Sequence, residues 1–217
     1  MMPKCFTVHY ACASLIPKRT SYVTAIGVCD TVTKQAVTFS MEDMQKNPEI
    51  QNTPQELEAY LLKQFFDFVS DHPDAVWIHW HMHSLEYGFG VLQERYEMLW
   101  DAPAAGFIST INLPDKIFET MQHRCRSYPT MYRFFESNGV KGQAILYGKE
   151  EAGCFAEAGY AAIRDSVKAK AEALATIYDK LQEHTLVAPC RRSNKTVWIA
   201  GVLIIVSAIV YMSVKGV

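Results

Sequence analysis

Apolar and polar positions along the chain run first with the period of strands and later with the period of helices. Cys5 to Ala13 and Tyr22 to Cys29 are rich in β-branched and aromatic residues, and Gln35 to Ser40 is a third short extended run. Three such segments in succession predict a meander. A turn-prone stretch around Asn47 to Pro54 follows, and Thr53-Pro54-Gln55-Glu56 then supplies a cap, a proline at the first helical position and a glutamate at the third. Leu57, Leu61, Phe65 and Phe68 continue at helical spacing, with an end expected at His72-Pro73. Ala75 to Met82 returns to extended character, Val91 to Leu99 reads as helix and Gly106 to Leu113 as a fifth strand. Tyr132 to Ser137 predicts a short helix closed by Asn138-Gly139. The longest helical pattern runs from about Glu157 to His184, with Ile163, Val167, Leu174, Ile177 and Leu181 on one face and Arg164, Lys168, Glu172 and Lys180 elsewhere. This order predicts an α/β domain with a mixed sheet flanked by helices.

The pattern changes character at the end of the chain. Val197 to Val214 is an uncharged apolar run of eighteen residues, close to the ~20 that a spanning helix needs at ~1.5 Å rise each. Trp198 and Tyr211 sit near its two ends, where interfacial rings belong. Arg191, Arg192 and Lys195 precede the run and Lys215 follows it, so the body is expected on the cytoplasmic side of a single-pass C-terminal anchor. No segment near the start resembles a signal peptide. The expected organisation is a cytosolic domain over 1–188, a basic juxtamembrane linker over 189–196 and a transmembrane helix over 197–214. Within the run, Ala200, Gly201, Ser207 and Ala208 fall at a seven-residue repeat, a small-residue stripe that favours close helix approach in lipid and predicts a homo-oligomer.

Composition narrows the functional classes. The formal net charge is -2 with both signs mixed throughout, which argues against the broad basic footprint of a processive nucleic-acid enzyme. Six cysteines are scattered without CxxC spacing, a usage suited to a reducing compartment and to neither a disulfide framework nor a zinc finger.

Several local sequences resemble proofreading-type 3′–5′ exonucleases of the ribonuclease H-like fold. Phe6 to Leu15 resembles that family's first strand, Ile78 to Leu92 its second motif and following helix, and Phe107 to Leu113 the next strand. Pro129 to Val140 resembles its short helix ending in Asn-Gly, and Tyr160 to Ser166 (YAAIRDS) is similar to its third motif, a tyrosine ahead of an aspartate. The resemblance implies a ribonuclease H-like sheet and four carboxylates holding two divalent metals. The chain departs from that set. The first strand offers His9-Tyr10-Ala11 in place of Asp-x-Glu, the second motif ends in Tyr87-Gly88, and only Asp165 has a counterpart among the acids. A second resemblance is to an uncharacterised bacterial group carrying HWNMRD-x-NYGF and GKEEA, seen here as His79 to Phe89 and Gly148 to Ala152, followed by Phe155 and Tyr160. His81, Ser84 and Glu86 replace that motif's first Asn, its Asp and its second Asn.

Two functional expectations follow. The first is a catalytically inactive, membrane-anchored exonuclease-like domain that binds a nucleotide, a nucleic-acid end or a protein without a cofactor and signals through an oligomerising anchor, as prokaryotic antiviral effectors do. His9, Tyr10, His79, His81, His83, Tyr87, Lys149 and Tyr160 are its candidate binding residues. The second is a membrane-tethered phosphodiesterase. In a strand, His79, His81 and His83 project to one side. With Glu86 and Asp165 as catalytic acids, they are candidate ligands for a divalent metal such as Mn, Mg or Zn.

Overall fold

The computed structural model describes residues 3–14, 21–121, 130–140 and 144–189. The expected membrane run, with Val197, Trp198, Gly201, Ser207, Ala208 and Tyr211, lies outside the described residues, as does most of the linker before it. Among the described residues, no helix is long and apolar enough to cross a membrane.

The meander forms as its composition predicts. Strands β1 (Cys5–Cys12), β2 (Val23–Asp30) and β3 (Ala36–Ser40) pair antiparallel in sequence order. Strand β4 (Val76–His79) pairs parallel with β1, and β5 (Ser109–Asn112) parallel with β4, so the sheet runs β3-β2-β1-β4-β5. Parallel pairing requires crossovers, which α2 (Pro54–Ser70) and α3 (Phe89–Trp100) supply. Helix α2 begins where the sequence predicts: the Thr53 side chain accepts from the Glu56 amide at 3.3 Å and Pro54 fills the first turn.

Alternation along β1 sorts its residues between the two faces. Phe6 meets Phe68 of α2 and Trp77 of β4, both with ring centroids at 5.4 Å, whereas the Thr7 hydroxyl donates to the Ala171 carbonyl of α7 (Tyr160–Gln182) at 2.7 Å. Thus α2 covers one face and α7 the other. Register extends the sorting across the sheet, because Phe6 lies opposite Trp77, Thr7 opposite Ile78 and Val8 opposite His79. Gly27 of β2, paired with His9, lets α7 ride directly on the sheet. A Cβ there would stand 2.4 Å from the Val167 carbonyl oxygen.

Four short helices complete the domain. Helix α5 (Met131–Ser137) ends at Asn138 and a left-handed Gly139, as Asn-Gly predicts. Helix α1 (Met41–Met44), started by the Ser40 cap, α4 (Leu113–Met121) directly after β5, and α6 (Gly148–Ala156) on the GKEEA motif are elements that the sequence pattern did not predict.

The fourth extended element is shorter than expected, and the difference matters for the histidines. The extended segment ends at His79, not Met82. The His79 ring accepts the Met82 amide through Nδ1 at 3.0 Å, His81 adopts a left-handed φ of 56° and its amide donates to the Asn112 side chain at 2.9 Å. A three-residue reversal held by those bonds replaces strand alternation, so His79, His81 and His83 do not project from one strand face.

A candidate ligand cavity beside the first strand

On the α7 side of β1 the sheet does not close against its helices, leaving a cavity of about 320 Å³. His9 and Cys12 reach it from β1, Ser14 and Ser21 stand at the far end of that strand, and Tyr87 and Val91 line the α3 side. Tyr132 of α5, Gly148 and Glu151 of α6 and Lys170 of α7 complete the wall, with Glu86 also lining it. The volume lies at the lower end of the roughly 300–1,000 Å³ of small-molecule sites.

Lys170 is the most unusual of these groups, since a lysine 1% exposed must be paired. Its Nζ donates to Glu151 Oε1 at 2.7 Å and stands 5.7 Å from the Tyr132 ring centroid. The Ser166 hydroxyl donates to the same carboxylate oxygen at 2.8 Å and accepts the Leu146 amide at 3.1 Å. Burial lowers the Lys170 pKa, and Glu151 opposes that shift. The pair is therefore a closed unit that fastens α6 to α7.

His9 is in the opposite situation. Its Nδ1 is buried without a hydrogen-bond partner. Burial and the nearby Lys170 charge hold its pKa well below the ordinary value, so the ring is neutral. A buried polar atom left unpaired costs about 1–3 kcal/mol, a cost that a bound molecule can remove. Cys12 remains a thiol because burial pushes its pKa up to about 12.

Tyrosines form much of the rest. The Tyr10 and Tyr87 rings stack at 4.3 Å and 11°. The Tyr87 hydroxyl donates to the Tyr10 carbonyl at 2.9 Å, and the Tyr10 hydroxyl accepts the Gly88 amide at 2.8 Å. Both phenols are thus engaged, and burial raises both pKa values. Gly88 is required for this approach, because a Cβ there would lie 2.5 Å from the Met82 carbonyl oxygen.

The structure divides the residues singled out from sequence. His9, Tyr10, Glu86 and Tyr87 meet at the cavity. His79, His81 and His83 do not line it. His79 follows Trp77 onto the α2 face, where its ring lies 5.2 Å from that of Phe89, on the opposite side of the sheet from His9. Burial first, then His83 and His81, lower its pKa to about 4. The His83 ring lies 6.1 Å from that of His79 and 6.0 Å from that of His81, but among the described residues no group of three His, Cys, Asp or Glu side chains is arranged to hold a metal ion. Asp165 is 51% exposed and paired with Arg164 at 2.8 Å, outside the cavity. Lys149 is exposed, and Tyr160 is buried against Phe155.

Cys12, Tyr132, Glu151 and Lys170 were not anticipated. For Lys170 a signal existed: it falls three residues after Val167 and four before Leu174, on the apolar stripe of α7. No protein-family model matches the chain, and a search of curated proteins finds no significant match.

Proposed function

We propose that this chain is a ribonuclease H-like domain devoted to recognition and not to cleavage, a ligand-sensing effector carried on a C-terminal membrane anchor. Support for the fold comes from the sheet order β3-β2-β1-β4-β5, with a leading antiparallel meander and two strands parallel to the first. The observation that carries the functional reading is the closed Lys170–Glu151 pair beside a neutral His9. A two-metal phosphodiesterase needs several carboxylates converging on one point. Here the cavity offers an imidazole at the first-strand position, an alanine two residues on, and two carboxylates, of which Glu151 is already neutralised by the Lys170 ammonium and Glu86 is exposed. These residues do not fit a metal pair.

The signalling reading rests on the order of elements. Helix α7 carries Lys170 in the cavity wall and precedes the C-terminal apolar run in sequence, so occupancy of the cavity would act on the element that leads into the expected anchor. Small residues along that run then favour association of copies in the bilayer, the arrangement used by membrane effectors in prokaryotic antiviral defence. A protein partner that reads the occupied state belongs to the same scheme.

Two measurements on the full chain test this. In detergent micelles with Mn²⁺ or Mg²⁺, labelled single-stranded DNA and RNA should remain uncut, and His81→Ala and Asp165→Ala should match the parent. Metal-dependent cleavage abolished by either substitution would establish the phosphodiesterase instead. In membrane fractionation the protein should stay in the pellet after alkaline carbonate; release into the supernatant removes the anchor from the scheme.

A further inference from the structure

The cavity's own chemistry restricts what can occupy it, an inference that rests on reading it as a recognition site. Among its described lining residues the charged groups are Lys170, Glu151 and Glu86. Lys170 is held by Glu151 and lies over the Tyr132 ring, so it has no free charge to offer an anion. Glu86 adds a negative charge to the lining. A phosphate entering here would be stripped of water without gaining a free cation, which is unfavourable. A cationic ligand would find its one unpaired described counter-charge in Glu86, which is exposed and screened by solvent.

The remaining surface favours a flat, neutral guest. Tyr87, stacked on the buried Tyr10, and Tyr132 line the space, and such rings pair with heteroaromatic faces without regard to charge. Among the described lining residues, His9 is half-buried and its Nδ1 has no hydrogen-bond partner. A neutral imidazole nitrogen takes a single hydrogen bond from a complementary ring edge, as acceptor or donor according to tautomer. An aliphatic guest would leave that atom unsatisfied, and a single water would satisfy it while leaving the aromatic walls unused.

We propose that the cavity holds one uncharged, planar heteroaromatic molecule of nucleobase or nucleoside size, hydrogen-bonded to the His9 imidazole. Among the described lining residues no cation is free to receive a phosphate, so phosphorylated forms of the same molecule should bind more weakly. This narrows the sensing reading from nucleotides in general to unphosphorylated heterocycles.

The test is titration calorimetry on the full chain in micelles, using the five common nucleobases, their nucleosides and the corresponding 5′-monophosphates. At least one base or nucleoside should bind with one molecule per chain, and its monophosphate should bind at least about tenfold more weakly. His9→Phe should weaken binding by about tenfold through loss of one hydrogen bond, and the ¹⁵N resonances of His9 in the parent should shift on saturation. Ser21→Trp, which fills the space from its rim and leaves the core alone, should abolish binding if the His9 variant proves poorly folded. Equal or tighter binding of the monophosphate, an affinity indifferent to both substitutions, or no saturation by any base or nucleoside at millimolar concentration overturns the proposal. Because the nuclease assay is independent, absent binding together with absent cleavage sinks this ligand class alone, whereas metal-dependent cleavage sinks the recognition reading itself.

Discussion

Arg95→Leu should lower the unfolding free energy by about 3–5 kcal/mol, the usual consequence of stranding one member of a buried ion pair. Glu58 of α2 is completely buried, and Arg95 of α3 is nearly so. Glu58 Oε1 accepts the Val23 amide at 2.8 Å and Arg95 Nε at 2.9 Å, while Arg95 Nη2 donates to Oε2. The pair thus joins α2, α3 and the first residue of β2. Burial raises the Glu58 pKa, and the hydrogen bonds from Arg95 and Val23 oppose the rise. Removing Arg95 leaves burial nearly unopposed, so the carboxyl should take up a proton in the folded variant. A folded pKa above the unfolded one means that the native state binds more protons between the two values. The variant should therefore be most stable below the unfolded carboxyl pKa and lose stability as pH rises through the folded one. Urea unfolding of the full chain in micelles, followed by far-ultraviolet circular dichroism, reads both effects. Adding Glu58→Gln removes the stranded charge, keeps an acceptor for Val23 and should restore part of the loss. No recovery, together with a pH-independent deficit, would assign the cost to lost packing alone.

What the sequence makes legible here is local. Thr53-Pro54 starts α2, Asn138-Gly139 ends α5, and five apolar residues mark the inner face of α7, all because caps and periodicity act within a few residues. The α/β class follows from the order of those elements. Helix α4 was missed because it begins at the residue after β5, with no turn to announce it. The site was legible only on its strand side. His9, Tyr10 and Tyr87 stand out as replacements for expected motif residues, but nothing in the alternation of β1 or β4 says which face meets α7. That depends on register, and Val8 opposite His79 puts His79 and His9 on opposite sides of the sheet. Nor can spacing show that Glu151 and Lys170, nineteen residues apart, share a proton-donating contact. A search for missing acids also draws the eye away from a lysine. Asking every polar residue on an apolar stripe for its partner would have singled out Lys170.

The second large effect concerns that lysine. Glu151→Leu should cost about 3–5 kcal/mol by leaving the Lys170 ammonium buried without its counter-charge. The loss should be local as well as global, because Glu151 is the only buried residue of α6 and holds both Ser166 and Lys170 of α7. Amide hydrogen exchange over 148–156 should therefore accelerate more than exchange in β1 or β2. The pH response should have the opposite sense to that of Arg95→Leu. Burial already lowers the Lys170 pKa and Glu151 is the main influence raising it, so the substitution depresses it further. The unfolded chain then binds more protons between the depressed value and the ordinary lysine value. Stability of the variant should be poorest below the folded pKa and recover as pH climbs toward the unfolded one. Combining Glu151→Leu with Lys170→Met removes the stranded charge and should regain most of the stability while leaving an apolar cavity wall. If the double variant is as unstable as the single one, the ion pair is not what binds α6 to α7, and the route proposed from cavity to anchor loses its mechanical link.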